Sequence, residues 1–157
     1  MSQSVDPAQL AQWHRYFAVE CNNLAWNMAE SEGQAADPAA LLNLAHSSAW
    51  HWQQTGTEQQ KMRAVMMLAQ VHTLLGLAAT ALSFAEQMRV WFLAQADTPD
   101  WELAFVHAIH AHACAIAGKT AEHAAAYHHA ERALAAIADE QDRAIVLLTF
   151  QQVPKPT

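Results

Sequence analysis

The chain has 157 residues and a formal net charge of −7, is 53% hydrophobic and only 15% charged, and holds four glycines and five prolines. Roughly one residue in five is alanine, the best helix former. Glycine is too scarce for Rossmann or P-loop phosphate sites and for the frequent turns of all-β folds, so the composition points to an all-α protein. The eight Lys and Arg residues are scattered singly, which excludes a basic surface for nucleic acid.

Taken in chain order, Asp6-Pro7 reads as an N-cap followed by the first helical position. The start, Met1–Leu10, is polar and acidic and does not read as a signal peptide. The first helix is expected near residues 7–32, with Leu10, Trp13, Phe17, Cys21, Leu24 and Met28 on one stripe of 3.6-residue period. Asp37-Pro38 opens a second helix to about residue 53. Thr57 with Gln60 forms a capping-box pattern for a third helix over about 58–75. A fourth helix is expected over about 78–94. Thr98-Pro99 reads as the start of a fifth, over about 99–117. A sixth covers about 121–138 and a short seventh about 140–150, leaving 151–157 as an irregular tail after a single domain over 1–150. Gly33, Gly56, Gly76 and Gly118 each fall where an amphipathic run ends, as left-handed C′ residues do. The uncharged run Ala64–Ala85 is long enough to span a bilayer, but Gln70, His72, Thr73, Thr80, Ser83 and a break at Gly76 make two water-exposed helices the better reading, so no membrane partner is expected. Cys21 and Cys114 form neither a CxxC motif nor a disulfide framework, which suits a reducing cytoplasm.

Short connections make neighbouring helices antiparallel, giving three hairpins and a capping helix. Helices three and four read L68-A-Q-V-H-T-L-L75-G76 then A81-L-S-F-A85; helices five and six read H110-A-H-A-C-A-I-A117-G118 then A126-Y-H-H-A130. This resembles the tetratricopeptide (TPR) pattern, although the spacing between hairpins is about 42–45 residues rather than 34. His51-Trp52, Gly56-Thr57 and Arg63-Ala64, with D100-W-E-L-A104 and I137-A-D-E-Q-D-R143, resemble a family of small bacterial TPR-like proteins of uncharacterised function. The resemblance implies a right-handed TPR-like superhelix and a bacterial source, and no chemistry. Met66-Met67 and the uncharged turn Gly76–Ala81 depart from more polar stretches of that family.

Three groups of residues are candidates for function. His107, His110 and Cys114 stand at i, i+3 and i+7, so they share a helix face and could ligate zinc or copper if another helix supplied a fourth ligand. The same positions in a TPR-like hairpin are packing positions. Trp50 and His51, with Arg63 one turn into helix three, could anchor a peptide or anion; alternatively they pack one hairpin on the next, with Arg63 on an acid such as Glu58. The TPR-like resemblance places Arg63, Met66, Gln70, Thr73, Phe105 and His112 on the concave groove, a mixed surface suited to an extended peptide or helix. Cys114 beside His110 is the one nucleophile–base pair, and a mid-helix Cys on an apolar face is ordinarily inert. His128 and His129 cannot both face the core, so at least one is expected to titrate near neutral pH. The expectation is a protein-interaction module binding protein or peptide and forming a homodimer, without evident catalysis; the alternative is a His/Cys metal or small-ligand site.

Overall fold

A computed structural model describes residues 4–157; the first three residues of the polar start lie outside the described residues. Seven α-helices and no strand occur among the described residues: α1 (Pro7–Ser31), α2 (Pro38–Thr55), α3 (Glu58–Leu74), α4 (Ala78–Ala94), α5 (Asp100–Ile116), α6 (Thr120–Ala136) and α7 (Glu140–Phe150). A 3-10 turn, Gly33–Ala35, links α1 to α2. Among the described residues no helix is long and apolar enough to cross a membrane, and Gly76 divides the uncharged run between α3 and α4.

The start signals are those of the sequence, with one exception. Asp6 and Asp37 cap their helices through side-chain oxygens, each followed by proline. Thr57 and Gln60 close a reciprocal capping box. At α5, however, Pro99 itself is the cap residue and the Thr98 hydroxyl donates to the Phe92 carbonyl instead. Gly76 and Gly118 take positive φ as expected, but Gly56 does not. It is needed there for close approach: a Cβ at Gly56 would stand 2.7 Å from the Trp52 carbonyl oxygen.

Each odd-numbered helix packs extensively on the even-numbered helix that follows it: α1 on α2, α3 on α4, α5 on α6. The odd helices also touch one another in sequence, α1 to α3, α3 to α5 and α5 to α7. The consequence is that α3 and α5 are surrounded. Residues 64–74 of α3 are buried without a break, and all but one of residues 104–114 of α5 are buried. Alanine makes this possible, because Ala69, Ala81, Ala85, Ala104 and Ala113 let helix axes come close around Met66, Met88, Phe92 and Ile109.

Two elements differ from the sequence reading. In α1 the buried residues are Ala18, Ala25 and Ala29, whereas Leu10, Trp13, Phe17 and Leu24 are exposed. The helix docks through these small residues with Trp26 and Met28 partly buried beside them, and turns Leu10, Trp13, Phe17 and Leu24 outward. The 151–157 tail has no helix, yet it is anchored. Gln152 donates to the Ala29 carbonyl and accepts from Gln70, Val153 is buried with Ala108, Ala111 and Tyr127, and His123 bonds the Pro154 carbonyl at 2.7 Å. Removing 151–157 should therefore lower the unfolding free energy by about 2–3 kcal/mol, from one lost apolar side chain and the hydrogen bonds of the half-buried Gln152. Chemical denaturation checks this; an unchanged midpoint would show that the tail contributes nothing.

Candidate functional site

The four odd helices converge on a groove of about 460 Å³. α1 gives Asn22, Trp26, Asn27 and Glu30; α3 gives Arg63 and Met66; α5 gives Trp101, Glu102 and Phe105; α7 gives Ile145. Trp26 and Phe105 lie with ring centroids 5.6 Å apart, and Trp101 meets Phe105 edge-on. This is an aromatic wall with amides on one rim.

One ion pair organises it. Glu102 is 1% exposed, and both its oxygens are held by Arg63, Nε donating to Oε1 at 2.6 Å and Nη2 to Oε2 at 3.1 Å. The guanidinium also stands 5.6 Å from the Trp101 ring centre, a cation–π contact. Arg63 thus reaches across from α3 to α5; the nearer acid considered from sequence, Glu58, is taken by Lys61. A bidentate pair fixes both side chains in orientation as well as in charge. Burial raises the carboxyl of Glu30 above its usual range.

Of the six residues assigned to the concave face from sequence, Arg63, Met66 and Phe105 line this groove. Gln70, Thr73 and His112 do not, because they are buried further along α3 and α5 where Gln152 and its neighbours lie over them. The sequence reading missed Trp26 and Glu102. The signal for Trp26 was its place on the α1 face opposite the large apolar stripe; an acidic residue in a helix with little else charged could have flagged Glu102.

The remaining candidates fall elsewhere. Trp50 and His51 lie against α1: His14 and His51 meet Nδ1 to Nδ1 at 2.8 Å, and Trp50 and Phe17 pack on the pair. On α5, His110 and Cys114 are neighbours, Nε2 to Sγ 3.4 Å, but His110 Nε2 donates to Glu86 Oε1 at 2.6 Å. His107 instead stacks on His129 of α6, 5.0 Å between centroids. Among the described residues no three His, Cys, Asp or Glu side chains come together to hold a metal ion. Burial, reinforced by Glu86 and Glu122, pushes the Cys114 thiol up to about 11, so it is not a thiolate at neutral pH. A further pair was not foreseen. Thr80 donates to the Leu77 carbonyl and so accepts from His72 Nδ1, which leaves Nε2 of neutral His72 to accept from His46 at 3.2 Å. His128 and His129 are both exposed.

Comparison with protein-family models, with curated proteins and with solved structures finds no match.

Two stability measurements follow. Arg63→Met should cost about 3 kcal/mol, because it strands a buried carboxylate, while adding Glu102→Met should restore most of the loss. Equal destabilisation in the single and double variants would show that the pair is not the reason. The second concerns pH. Burial, with His123 nearby, lowers His112 to about 4. The unfolded chain, with an ordinary histidine near 6.5, binds the proton more readily between those values. The stability that a neutral His112 provides is therefore full above about pH 6.5 and is lost as pH falls toward 4. Burial lowers His107 to about 4 as well, with the same sign. His112→Gln should flatten the dependence of unfolding free energy on pH between 6 and 4.5 by about one proton; an unchanged slope would mean that the ring titrates freely in the folded chain.

Proposed function

We propose that this protein is a protein-interaction module of the TPR-like class, and that its groove between α1, α3, α5 and α7 takes a short peptide segment presenting an apolar side chain beside a basic one. The succession of contacts among the odd helices, with α2 and α4 each packed on both neighbouring odd helices and α6 on α5 and more lightly on α7, supports a stack of three antiparallel hairpins capped by α7. The single observation that carries the functional reading is the groove itself: an aromatic wall of Trp26, Trp101 and Phe105, edged by Asn22 and Asn27 that can bond a peptide backbone. Aromatic anchors of this kind dominate binding energy where they are desolvated together.

The charge preference follows from subtraction. Arg63 and Glu102 neutralise one another, which leaves Glu30 in the groove and Asp142 in the adjoining hollow beside Trp101 and Ile145. A Lys or Arg next to the apolar anchor would meet those carboxylates. Catalysis has less support, since the Cys114 thiol stays protonated and the His110 ring is engaged by Glu86. The alternative zinc or copper site on α5 is also the weaker reading, because His110 is engaged by Glu86 and no three His, Cys, Asp or Glu side chains among the described residues gather to hold a metal ion.

Peptides selected from a random library on the purified protein should be enriched in an aromatic or aliphatic residue adjacent to Lys or Arg. They should shift the indole resonances of Trp26 and Trp101. Ile145→Glu, at an exposed position on the rim, should weaken them by at least tenfold. Selected peptides that bind with Ile145→Glu unchanged and leave both indoles unmoved would contradict the groove as the site.

A further inference from the structure

Aromatic rings and unpaired carboxylates meet at the groove between α1, α3, α5 and α7. Trp26 of α1 and Trp101 of α5 both lean on Phe105, with centroids 5.6 and 6.3 Å from it and planes at 50° and 86° to it. Neither indole stacks flat on Phe105, so the rings stand as differently tilted walls. One of them already holds a cation, since the Arg63 guanidinium lies 5.6 Å from the Trp101 ring centre.

The charges around these rings do not balance. Arg63, the one cation among the residues that line the groove, is held by both oxygens of Glu102. Glu30 stands one turn beyond Trp26 on the same face of α1. Asp142 lies in the adjoining hollow, which shares Trp101, Phe105 and Ile145 with the groove. Among the described residues neither Glu30 nor Asp142 pairs with a cation. Arg143, next to Asp142 in the chain, donates to the Ile137 carbonyl instead.

We propose that the part of the groove bounded by Trp26, Trp101 and Phe105, beside Glu30, takes a quaternary ammonium group. This site rests on the groove proposed above as the place of binding, and not on a peptide being what binds. A trimethylated lysine of such a peptide and a small solute such as choline carry the same headgroup.

The chemistry favours a methylated cation over a bare one. A lysine ammonium is strongly hydrated and leaves water readily only where acceptors meet its three N–H groups. Aromatic faces do not replace those bonds. A quaternary ammonium has no N–H to satisfy, packs its methyl groups on the rings, and keeps a positive charge that ring faces attract. Recognition of such groups by several aromatic side chains together is the usual functional use of the cation–π contact. A groove of about 460 Å³ is of the size that holds small ligands. Glu30 and Asp142 add attraction, and the bidentate Arg63–Glu102 pair offsets the one positive charge that would oppose the ligand.

The test is a titration of the full chain, followed through the indole N–H resonances of Trp26 and Trp101. The probes are choline and its uncharged carbon isostere, dimethylbutanol, which share a shape and differ in charge. Choline should move both indoles and bind about tenfold more tightly than the neutral alcohol. Glu30→Gln, an isosteric change at a side chain without an ion-pair partner, should weaken choline severalfold and leave the alcohol unchanged. The acetylated amide of trimethyllysine should likewise bind more tightly than that of unmethylated lysine, and the tighter of choline and the trimethyllysine amide assigns the source of the headgroup. Equal binding of choline and the alcohol overturns the proposal, as do indoles that choline leaves unmoved or an unmethylated lysine amide that binds as tightly as the methylated one. Peptides that occupy the groove while choline does not would sink this site and leave the peptide reading standing. Choline bound in the groove with no peptide selected would do the reverse.

Discussion

The constraint on which the structure depends is the burial of residues 64–74 of α3 and of all but one of residues 104–114 of α5. A helix enclosed on all sides must be apolar or must find a partner for every polar group it carries, because an unpaired polar group away from water costs roughly as much as a hydrogen bond contributes. These two helices are not wholly apolar. They hold Gln70, His72, Glu102, His110 and His112 at buried positions. Most of those side chains are met by another segment: Gln70 by Gln152 of the tail, His72 by His46 and Thr80, Glu102 by Arg63, and His110 by Glu86. The polar contacts therefore run between helices and set which segment lies against which. Among the described residues, Gln70 Oε1, the hydroxyls of Thr73 and Thr149, Arg89 Nε and His112 Nδ1 are buried without a protein partner.

The same constraint shapes the groove. Arg63 spans from α3 to α5 because Glu102 is buried where no other cation reaches it, and Trp101 stacks beneath the guanidinium. The ion pair holds one side of the groove in place. Its net worth to folding is small compared with the cost of breaking it by half, since desolvation offsets most of the attraction. What the pair provides is orientation, and orientation of Trp101 against Phe105 and Trp26 is what gives the groove an apolar wall.

Much of the architecture was legible in the sequence, because helix ends are written locally. Asp-Pro pairs, a capping box and positive-φ glycines placed most boundaries within two residues. Thr98-Pro99 misled because a proline can itself be the cap residue, freeing the threonine hydroxyl for Phe92. Periodicity located the stripe on α1 but not its direction: Ala18, Ala25 and Ala29, about 100° round the same helix, proved the better surface for close packing. Tertiary pairing was the least legible. Arg63 has Glu58 five residues away and Glu102 thirty-nine away, and only the fold decides for the second. Likewise the spacing of His107, His110 and Cys114 shows a shared helix face, but only the fold brings Glu86 of α4 to His110 and His129 of α6 to His107.

Native-state hydrogen exchange tests the enclosure of α3 and α5 most directly. If these helices form the centre on which the others depend, the amides of residues 64–74 and 104–114 should exchange last, together, and only through global unfolding. The amides at the start of α1, whose side chains are largely exposed, should exchange earlier by local opening. Exchange of α3 or α5 ahead of α1, or at rates that differ between the two, would contradict the account.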